Sequence, residues 1–185
     1  MAGEQANKLK KTIALVGMMG SGKSAVGKAL ATKLGAPFID SDHEIERAAN
    51  MTIAEIFARD GEAFFRKREA EVISRLLRGT PCVLSTGGGA FMAEANRDAI
   101  TQEGASVWLD ADLELLWSRV KHKNTRPLLQ TANPKATLKE IYDRRVPIYA
   151  LADLTVPAET GLPINDMADR VIAHLAARGD ILEER

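Results

Sequence analysis

The segment Gly17-Met18-Met19-Gly20-Ser21-Gly22-Lys23-Ser24 satisfies every fixed position of the pattern G-x-x-x-x-G-K-[ST]. Glycines in this pattern let the backbone curl tightly, so that several N–H groups point inward at one bound phosphate group. The lysine reaches the β- and γ-phosphates of a nucleotide, and the final hydroxyl is a ligand of Mg²⁺. The predicted nucleotide-binding residues of this loop are therefore Met19, Gly20, Ser21, Gly22, Lys23 and Ser24, with Ser24 also at the metal.

The residues on both sides of the loop favour this interpretation. Residues 12–16 are apolar apart from Thr12 and predict a short buried strand, and residues 24–34 predict a helix that ends at Gly35. Such a helix would point its positive N-terminal end at the phosphates. A glycine-rich turn that matches the pattern by chance is the alternative, and the strand before it and the helix after it disfavour that alternative.

The composition predicts one globular domain over residues 1–185. Hydrophobic residues make up 45% of the chain, an ordinary value, and its length is sufficient for its own core. The polar, lysine-rich residues at about 1–11 and those at about 178–185 carry no motif, and we expect both ends to be mobile.

Charge and cysteine usage restrict the partners and the compartment. Twenty-five basic residues balance 25 acidic ones, so that no net field favours nucleic acid or an anionic membrane. There is no signal-peptide pattern and no run near the roughly 18 apolar residues of a membrane span. The single cysteine, Cys82, cannot form an internal disulfide. These features predict a cytoplasmic domain that binds neither nucleic acid nor membrane.

Strand and helix patterns alternate along the chain, which predicts a three-layer α/β/α domain with a central parallel sheet. Further strands are predicted at 37–40, 81–86, 106–109 and 153–156, and helices at 52–60, 62–78, 94–103, 113–120, from 137 and at 165–177. The helices that begin at Thr52 and Thr137 each start with a capping box. Ligand sites in such sheets lie at the carboxyl ends of the strands.

Asp40 and Asp42 follow the second predicted strand. In an extended segment residues two apart point the same way, so that both carboxylates would face the phosphate site. One suits the water shell of a metal ion, and the other suits a hydroxyl that attacks phosphorus. The alternative is a solvated turn before a helix, since aspartate is also a good N-cap.

Gly87-Gly88-Gly89 ends the third predicted strand, where three glycines can expose backbone N–H groups to a ligand. A flexible turn is the alternative. Arg66 follows two phenylalanines and could leave a packed face to reach the cleft, or be an ordinary surface arginine. The pair at 144–145 lies late in a helix, where it could bind a ligand or only compensate the helix dipole.

Several motifs in order resemble those of shikimate kinase, a family in the nucleoside monophosphate kinase-like branch of P-loop proteins, over roughly residues 12 to 175. They are Asp40-Ser41-Asp42, Gly61-Glu62 with Phe65-Arg66 and Glu69, Gly87-Gly88-Gly89, Asn124-Thr125-Arg126-Pro127-Leu128-Leu129, and Arg145 with Pro147-Ile148-Tyr149. The resemblance implies the P-loop NTPase fold of the nucleoside monophosphate kinase type. It also implies transfer of the γ-phosphoryl group of ATP to the 3-hydroxyl of shikimate, with Mg²⁺, in aromatic amino-acid (chorismate) biosynthesis.

The resemblance assigns roles to individual residues. Catalytic roles fall to Lys23, Asp42 as the general base, and Arg126, which would also contact the nucleotide. Arg119 would pack on adenine, and Ser24 and Asp40 would hold Mg²⁺. Substrate-binding roles fall to Asp42, Arg66, Gly87, Gly88, Gly89 and Arg145, the two arginines gripping the carboxylate. The implied partners are ATP or ADP and shikimate, and a monomer is expected.

Two segments stand apart from these assignments. Residues 121–136 lack the apolar periodicity that would pack them down, and with Arg126 they predict a lid that closes over the site. Residues 157–165 lie where relatives complete the adenine pocket, but they match no family motif.

Three rival interpretations remain open. A gluconate kinase-like enzyme shares the loop and architecture but lacks the glycine triplet and the F-R motif as a set. A GTPase would need Asn-Lys-x-Asp and Asp-x-x-Gly, which do not occur here. A non-catalytic nucleotide-binding regulator on the same fold would be expected to have lost Lys23, Asp42 or a clamp arginine, and all of these are present.

Overall fold

Five parallel strands form one sheet at the centre of the molecule, which a computed structural model describes over residues 8–122 and 127–184. The strands are β1 (Thr12–Val16), β2 (Phe38–Asp40), β3 (Val83–Ser85), β4 (Gly104–Asp110) and β5 (Leu154–Pro157). Their order across the sheet is β2-β3-β1-β4-β5, and every neighbouring pair is parallel. The predicted parallel sheet is confirmed.

Helices follow the strands along the chain. They are α1 (Lys23–Leu34), α2 (Ser41–Ala49), α3 (Ile53–Leu77), α4 (Glu94–Glu103), α5 (Leu113–Val120), α6 (Pro134–Tyr149) and α7 (Ile164–Arg178), with short 3₁₀ turns at Ala90–Met92 and Pro127–Leu129. The capping box at Thr52 and Glu55 is present, and Gly61, at φ +82°, interrupts α3 as predicted.

The central strand β1 separates two hydrophobic clusters. Its Ile13 and Leu15 join the cluster that α1 and α7 cover, whereas Ala14 and Val16 join the cluster with α3 to α6. Because both faces are covered, all five residues of β1 are buried, which explains the unbroken apolar run in the sequence. The three-layer α/β/α prediction is therefore confirmed.

Two local predictions were wrong because polar side chains begin helices at other positions. The segment after β2 is not extended, since Asp40 is the N-cap of α2 and Asp42 lies in its first turn. Helix α6 begins at Pro134 and not at Thr137, because the side chain of Asn133 accepts a hydrogen bond from the backbone of Ala136.

The chain ends pack more closely than the predicted mobile ends at about 1–11 and 178–185. Leu9 and Leu182 form an antiparallel bridge, and the Lys10 N–H donates to the carbonyl of Ile181 over 2.8 Å. Leu9 and Ile181 are both buried in the cluster of α1 and α7. Their apolar side chains therefore hold residues 9–10 and 181–182 against the domain.

Among the helices of the described ranges, none combines the length and the apolar character that crossing a membrane requires.

Candidate functional site

The phosphate-binding loop connects β1 to α1 in a conformation that requires glycine. Gly20 has φ +82° and Gly22 has φ +94°, a region that other residues rarely adopt. A Cβ atom on Gly20 would also lie only 2.8 Å from Cγ1 of Val120. Gly22 is the N-cap of α1 and has no side chain to cap it, so the helix N-terminus faces the loop unobstructed.

Lys23 lies across the loop. Its ammonium group donates to the carbonyl oxygens of Gly17 and Met18, at 2.7 and 3.0 Å. The loop therefore keeps a positive charge at its mouth. The same charge opposes protonation of Asp42, so the two groups are close enough to interact electrostatically.

An open cleft of about 560 Å³ begins at this loop. Its polar side includes Asp40, Asp42 and Ser24, and Arg119 lines it while donating from Nη1 to the carbonyl of Gly20 over 3.0 Å. The predicted nucleotide residues 19–24 thus share one cleft with Arg119.

Apolar residues form a further wall of the cleft. It consists of Ala158, Leu162, Ile164 and Met167, with Glu159 among them. Such a wall suits the flat, apolar faces of a purine ring. All of them except Met167 belong to the segment 157–165, which the sequence placed near the adenine pocket without matching a motif, and the chain path after β5 brings them to the cleft.

Asp40 and Asp42 both reach the cleft, though by a different geometry than expected. Oδ1 of Asp40 accepts from the backbone N–H groups of Asp42 at 2.9 Å and His43 at 3.3 Å. Burial, followed by the nearby charges of Asp40 and Glu69, raises the pKa of Asp42 from 3.8 to about 6. Capping by Asp40 therefore sets the start of α2, and this start places Asp42 at the site.

The glycine triplet follows β3 and leaves space for three charged side chains. A Cβ atom on each glycine would collide with one of them: Gly87 with Asp42 Oδ1 (2.7 Å), Gly88 with Arg145 Nη1 (2.8 Å), and Gly89 with Arg66 Nη2 (2.6 Å). The triplet thus allows the close approach of a carboxylate from α2, a guanidinium from α3 and a guanidinium from α6, which a larger residue would displace.

Glu69 pairs with Arg66. Its side chain is 1% exposed, and Oε1 accepts from Arg66 Nη1 at 2.9 Å. Burial raises the pKa of Glu69, while Arg66 and then Arg145 oppose the rise. The other oxygen, Oε2, is buried without a hydrogen-bond partner among the residues that the structure describes. Two guanidinium groups therefore share the field of one buried carboxylate.

The cleft offers oxygen ligands that fit Mg²⁺. In the described ranges no group of three histidine, cysteine, aspartate or glutamate side chains is arranged to hold a metal. Magnesium, however, is usually held by one or two protein oxygens together with phosphate oxygens and water. The Ser24 hydroxyl and the Asp40 carboxylate line the same cleft and fit that requirement.

Arg126 and its neighbours at 123–125 lie outside the described residues, so the predicted catalytic arginine stays a prediction of the sequence. In the rest of the predicted lid at 121–136, Leu129 is buried and α6 begins at Pro134, whereas the predicted closure of the lid is not tested.

The sheet order, the phosphate-binding loop and the cleft at the carboxyl ends of the strands define a P-loop nucleotide-binding protein of the kinase type. A family model described as "Shikimate kinase" matches residues 19–176. The chain belongs to the shikimate kinase family.

Relatives support this membership over nearly the whole chain. It is 65% identical to a shikimate kinase of Ruegeria pomeroyi over 95% of this chain and 90% of the relative. It is 63% identical to a shikimate kinase of Cereibacter sphaeroides over 95% of this chain and 88% of that relative.

Solved structures agree in fold. Shikimate kinase from Acinetobacter baumannii in complex with shikimate is 39% identical, with a TM-score of 0.85 over 91% of this chain and 94% of that one. A gluconokinase from Sinorhizobium meliloti has a TM-score of 0.63 at 20% identity, which shows only the shared fold.

The raised pKa of Asp42 predicts that Asp42→Asn stabilises the fold at pH 8. Between pH 3.8 and about pH 6 the carboxyl of Asp42 is protonated in the folded protein but ionised in the unfolded chain. The free energy of unfolding therefore falls as the pH rises through this range, and the loss is complete above it. The free energy of unfolding at pH 8 is expected to be higher in the variant by on the order of 1–3 kcal/mol. Each kcal/mol corresponds to an increase in Tm of about 2–4 °C. Thermal unfolding at pH 8 and pH 4 measures it.

The matched control for this prediction is Asp166→Asn, which makes the same change in the exposed first turn of α7. Its Tm is expected to change little and not to rise. If Asp42→Asn were less stable than the wild type at pH 8, the attribution of the raised pKa to a buried, destabilising charge would be wrong.

Proposed function

We propose that this chain transfers the γ-phosphoryl group of ATP to the 3-hydroxyl of shikimate, giving shikimate 3-phosphate and ADP. The observation that carries the proposal is the convergence of Asp42, Arg66 and Arg145 on the glycine triplet at the end of the phosphate cleft. Family membership supports the same reaction. One chain supplies all of these groups, so a monomer is sufficient.

The two arginines suit the carboxylate of shikimate. A guanidinium group can bind a carboxylate through two parallel charge-assisted hydrogen bonds. The negative charge of Glu69 offsets the positive charge of Arg66, with which it is paired. Arg145 adds a second positive charge at the neighbouring glycine. The pair therefore retains net positive charge for an anionic substrate.

Asp42 is the proposed general base. It lies against Gly87, between the substrate side of the site and the phosphate-binding loop. A pKa of about 6 leaves the carboxylate ionised at neutral pH, yet basic enough to accept a proton from an attacking hydroxyl. Backbone N–H groups of the triplet, at Gly88 above all, would orient the ring hydroxyls.

On the nucleotide side, Lys23 would stabilise the charge that develops on the phosphoryl group as it transfers. Ser24 and Asp40, the latter through water, would hold Mg²⁺, which supplies further positive charge beside the phosphates. Arg119 and the apolar wall of the cleft would bind the adenine end. Arg126 stays a prediction for the same transfer step.

We propose the cytoplasm as the compartment. The buried, free thiol of Cys82 is compatible with a reducing environment, which keeps thiols unpaired.

A coupled ADP-release assay tests the proposed function. Shikimate, gluconate, nucleoside monophosphates and a sample without acceptor are compared at saturating ATP and Mg²⁺. The kcat/KM for shikimate is expected to exceed that of every other acceptor by about 10²-fold or more, because the arginines and Asp42 are held at fixed positions that match a carboxylate and hydroxyls on a rigid ring, whereas the open-chain gluconate must be ordered to meet them and a nucleotide lacks the carboxylate. A preference for gluconate, or no turnover with any acceptor, would contradict the proposal.

The pH profile gives a second test. The carboxylate form of Asp42 is the active base, and protonation below its pKa of about 6 removes it. We expect kcat/KM for shikimate to fall about tenfold for each pH unit below 6 and to level off above it. A profile that stays flat between pH 5 and 7 would show that this carboxyl is not the group whose ionisation controls the rate.

A further inference from the structure

The side chain of Tyr149 is buried beneath the glycine triplet. It lies at the last position of α6 and has no exposed surface. Its hydroxyl donates to the carbonyl oxygen of Gly88, and its ring stacks on Trp108 with the centroids 6.1 Å apart. The proposed chemistry does not use this hydroxyl, although it lies directly behind the substrate site.

The same hydroxyl also contacts Arg145. The Arg145 guanidinium lies near enough to the phenol to oppose the rise in the pKa of Tyr149 that burial causes. The Cβ position of Gly88 lies 2.8 Å from Arg145 Nη1 and 3.9 Å from the Tyr149 oxygen, so all three groups meet at one point. A phenol has one donor and can also accept, so its oxygen can receive a hydrogen bond from this guanidinium while it donates to Gly88.

We propose that Tyr149 is a positioning residue that holds Arg145 and the Gly88 peptide in the geometry that receives the carboxylate of the substrate, an inference that rests on the proposed function.

The covalent geometry of the peptide gives Tyr149 a second effect. The bond between Gly88 and Gly89 is trans and planar, so its carbonyl oxygen and the following N–H point in opposite directions. Since the Gly88 carbonyl is held toward the buried phenol, the Gly89 N–H is turned away from it. One hydroxyl thereby orients a backbone donor and lies beside the guanidinium that receives the same substrate.

Tyr149→Phe tests the inference because it removes the hydroxyl and keeps the ring against Trp108. We expect the KM for shikimate, and the Kd for shikimate measured by calorimetry, to rise about three- to tenfold, the effect of losing one buried hydrogen bond. The KM for ATP is expected to change less than about twofold. A purely structural defect would weaken both substrates or lower the Tm without this split.

The matched control is Tyr142→Phe, the same change at the other tyrosine of α6, which is half-buried and lies outside the site. Its shikimate KM and Kd are expected to equal those of the wild type. A wild-type protein that binds no shikimate would overturn the proposed function and this inference with it. A wild type that binds shikimate, beside a folded Tyr149→Phe protein that binds it equally well, would overturn this inference alone.

Two further measurements separate positioning from packing. In an Arg145→Ala background, Tyr149→Phe should weaken shikimate binding less than it does in the wild type, because part of its effect passes through the missing guanidinium. An equal loss in both backgrounds would contradict the inference. If the phenylalanine variant does not fold, the wild type still gives a result. Its Tyr149 hydroxyl proton should exchange with water more slowly than that of Tyr142 in NMR spectra, and equal exchange would overturn the inference.

Discussion

Replacing Lys23 with alanine is expected to reduce turnover by about 10³-fold or more. The ammonium group lies at the mouth of the phosphate-binding loop, held by the carbonyl oxygens of Gly17 and Met18. Phosphoryl transfer depends almost entirely on positioning and on stabilising the charge of the transferring group, so the loss of this cation affects the transition state directly. Steady-state ADP release at saturating ATP and shikimate measures the effect.

The control for this variant is Lys28→Ala, which removes an exposed lysine from the same helix. Full turnover is expected there. Circular dichroism establishes whether the Lys23→Ala protein is folded, and ADP binding establishes whether the loop still holds a nucleotide without the bonds of Lys23 to its carbonyls. A folded Lys23→Ala protein with near-normal turnover would refute the assignment of the loop to catalysis.

The second large effect is expected at the two clamp arginines. Arg66→Ala and Arg145→Ala should each weaken shikimate binding by on the order of 2–5 kcal/mol, which corresponds to a loss of roughly 30- to 5,000-fold in affinity. The affinity for ATP should stay nearly unchanged, because neither arginine lines the nucleotide cleft. Calorimetric titrations with shikimate and with ADP separate the two substrates.

Arg68→Ala is a close control for Arg66→Ala. Arg68 and Glu71 repeat the three-residue spacing of Arg66 and Glu69 on the same helix, but both are about half exposed. Exposed pairs of this kind contribute little, so neither binding nor stability should change appreciably. Arg66→Ala, by contrast, leaves Glu69 buried without its partner, and its Tm should fall as well. If either clamp variant lost affinity for ATP and kept its affinity for shikimate, the assignment of that arginine to the shikimate site would be wrong.

The sequence predicts the centre of the fold well because local and tertiary preferences agree there. The strand at 12–16, the loop and α1 combine an apolar run, glycines at positions of positive φ and a glycine stop at Gly35. The alternation of strands and helices then leaves few arrangements other than a covered parallel sheet. The convergence of the aspartate pair and the glycine triplet at one edge follows from the same alternation.

The local geometry of the aspartate pair could not be predicted from spacing. Extended backbone and an N-cap are both compatible with Asp40-Ser41-Asp42, and the structure adopts the N-cap, with the carboxylate of Asp40 bonded to the backbone of Asp42. Both carboxylates still reach the cleft. The start of α6 was misplaced for a similar reason, since Asn133 and Pro134 compete with Thr137 as helix-initiating residues.

Other parts of the site depend on contacts between distant segments. The apolar wall that includes Leu162 and Met167 has no motif, and it meets the phosphate loop only because β5 and α7 bring it there. The support of Arg145 by Tyr149 could not be predicted either, because the motif that contains both residues does not show what the tyrosine hydroxyl contacts. Only the structure shows that Tyr149 is buried and that its hydroxyl donates to the Gly88 carbonyl.

The position of the new phosphate ester tests the central claim most directly. The protein is incubated with ATP, Mg²⁺ and an equimolar mixture of shikimate and gluconate, and the products are examined by phosphorus–proton correlation NMR. We expect one phosphate monoester, coupled to the proton at carbon 3 of shikimate, together with an equal amount of ADP. A phosphate ester on gluconate or at another hydroxyl of shikimate, or ADP formed only with free phosphate, would contradict the account.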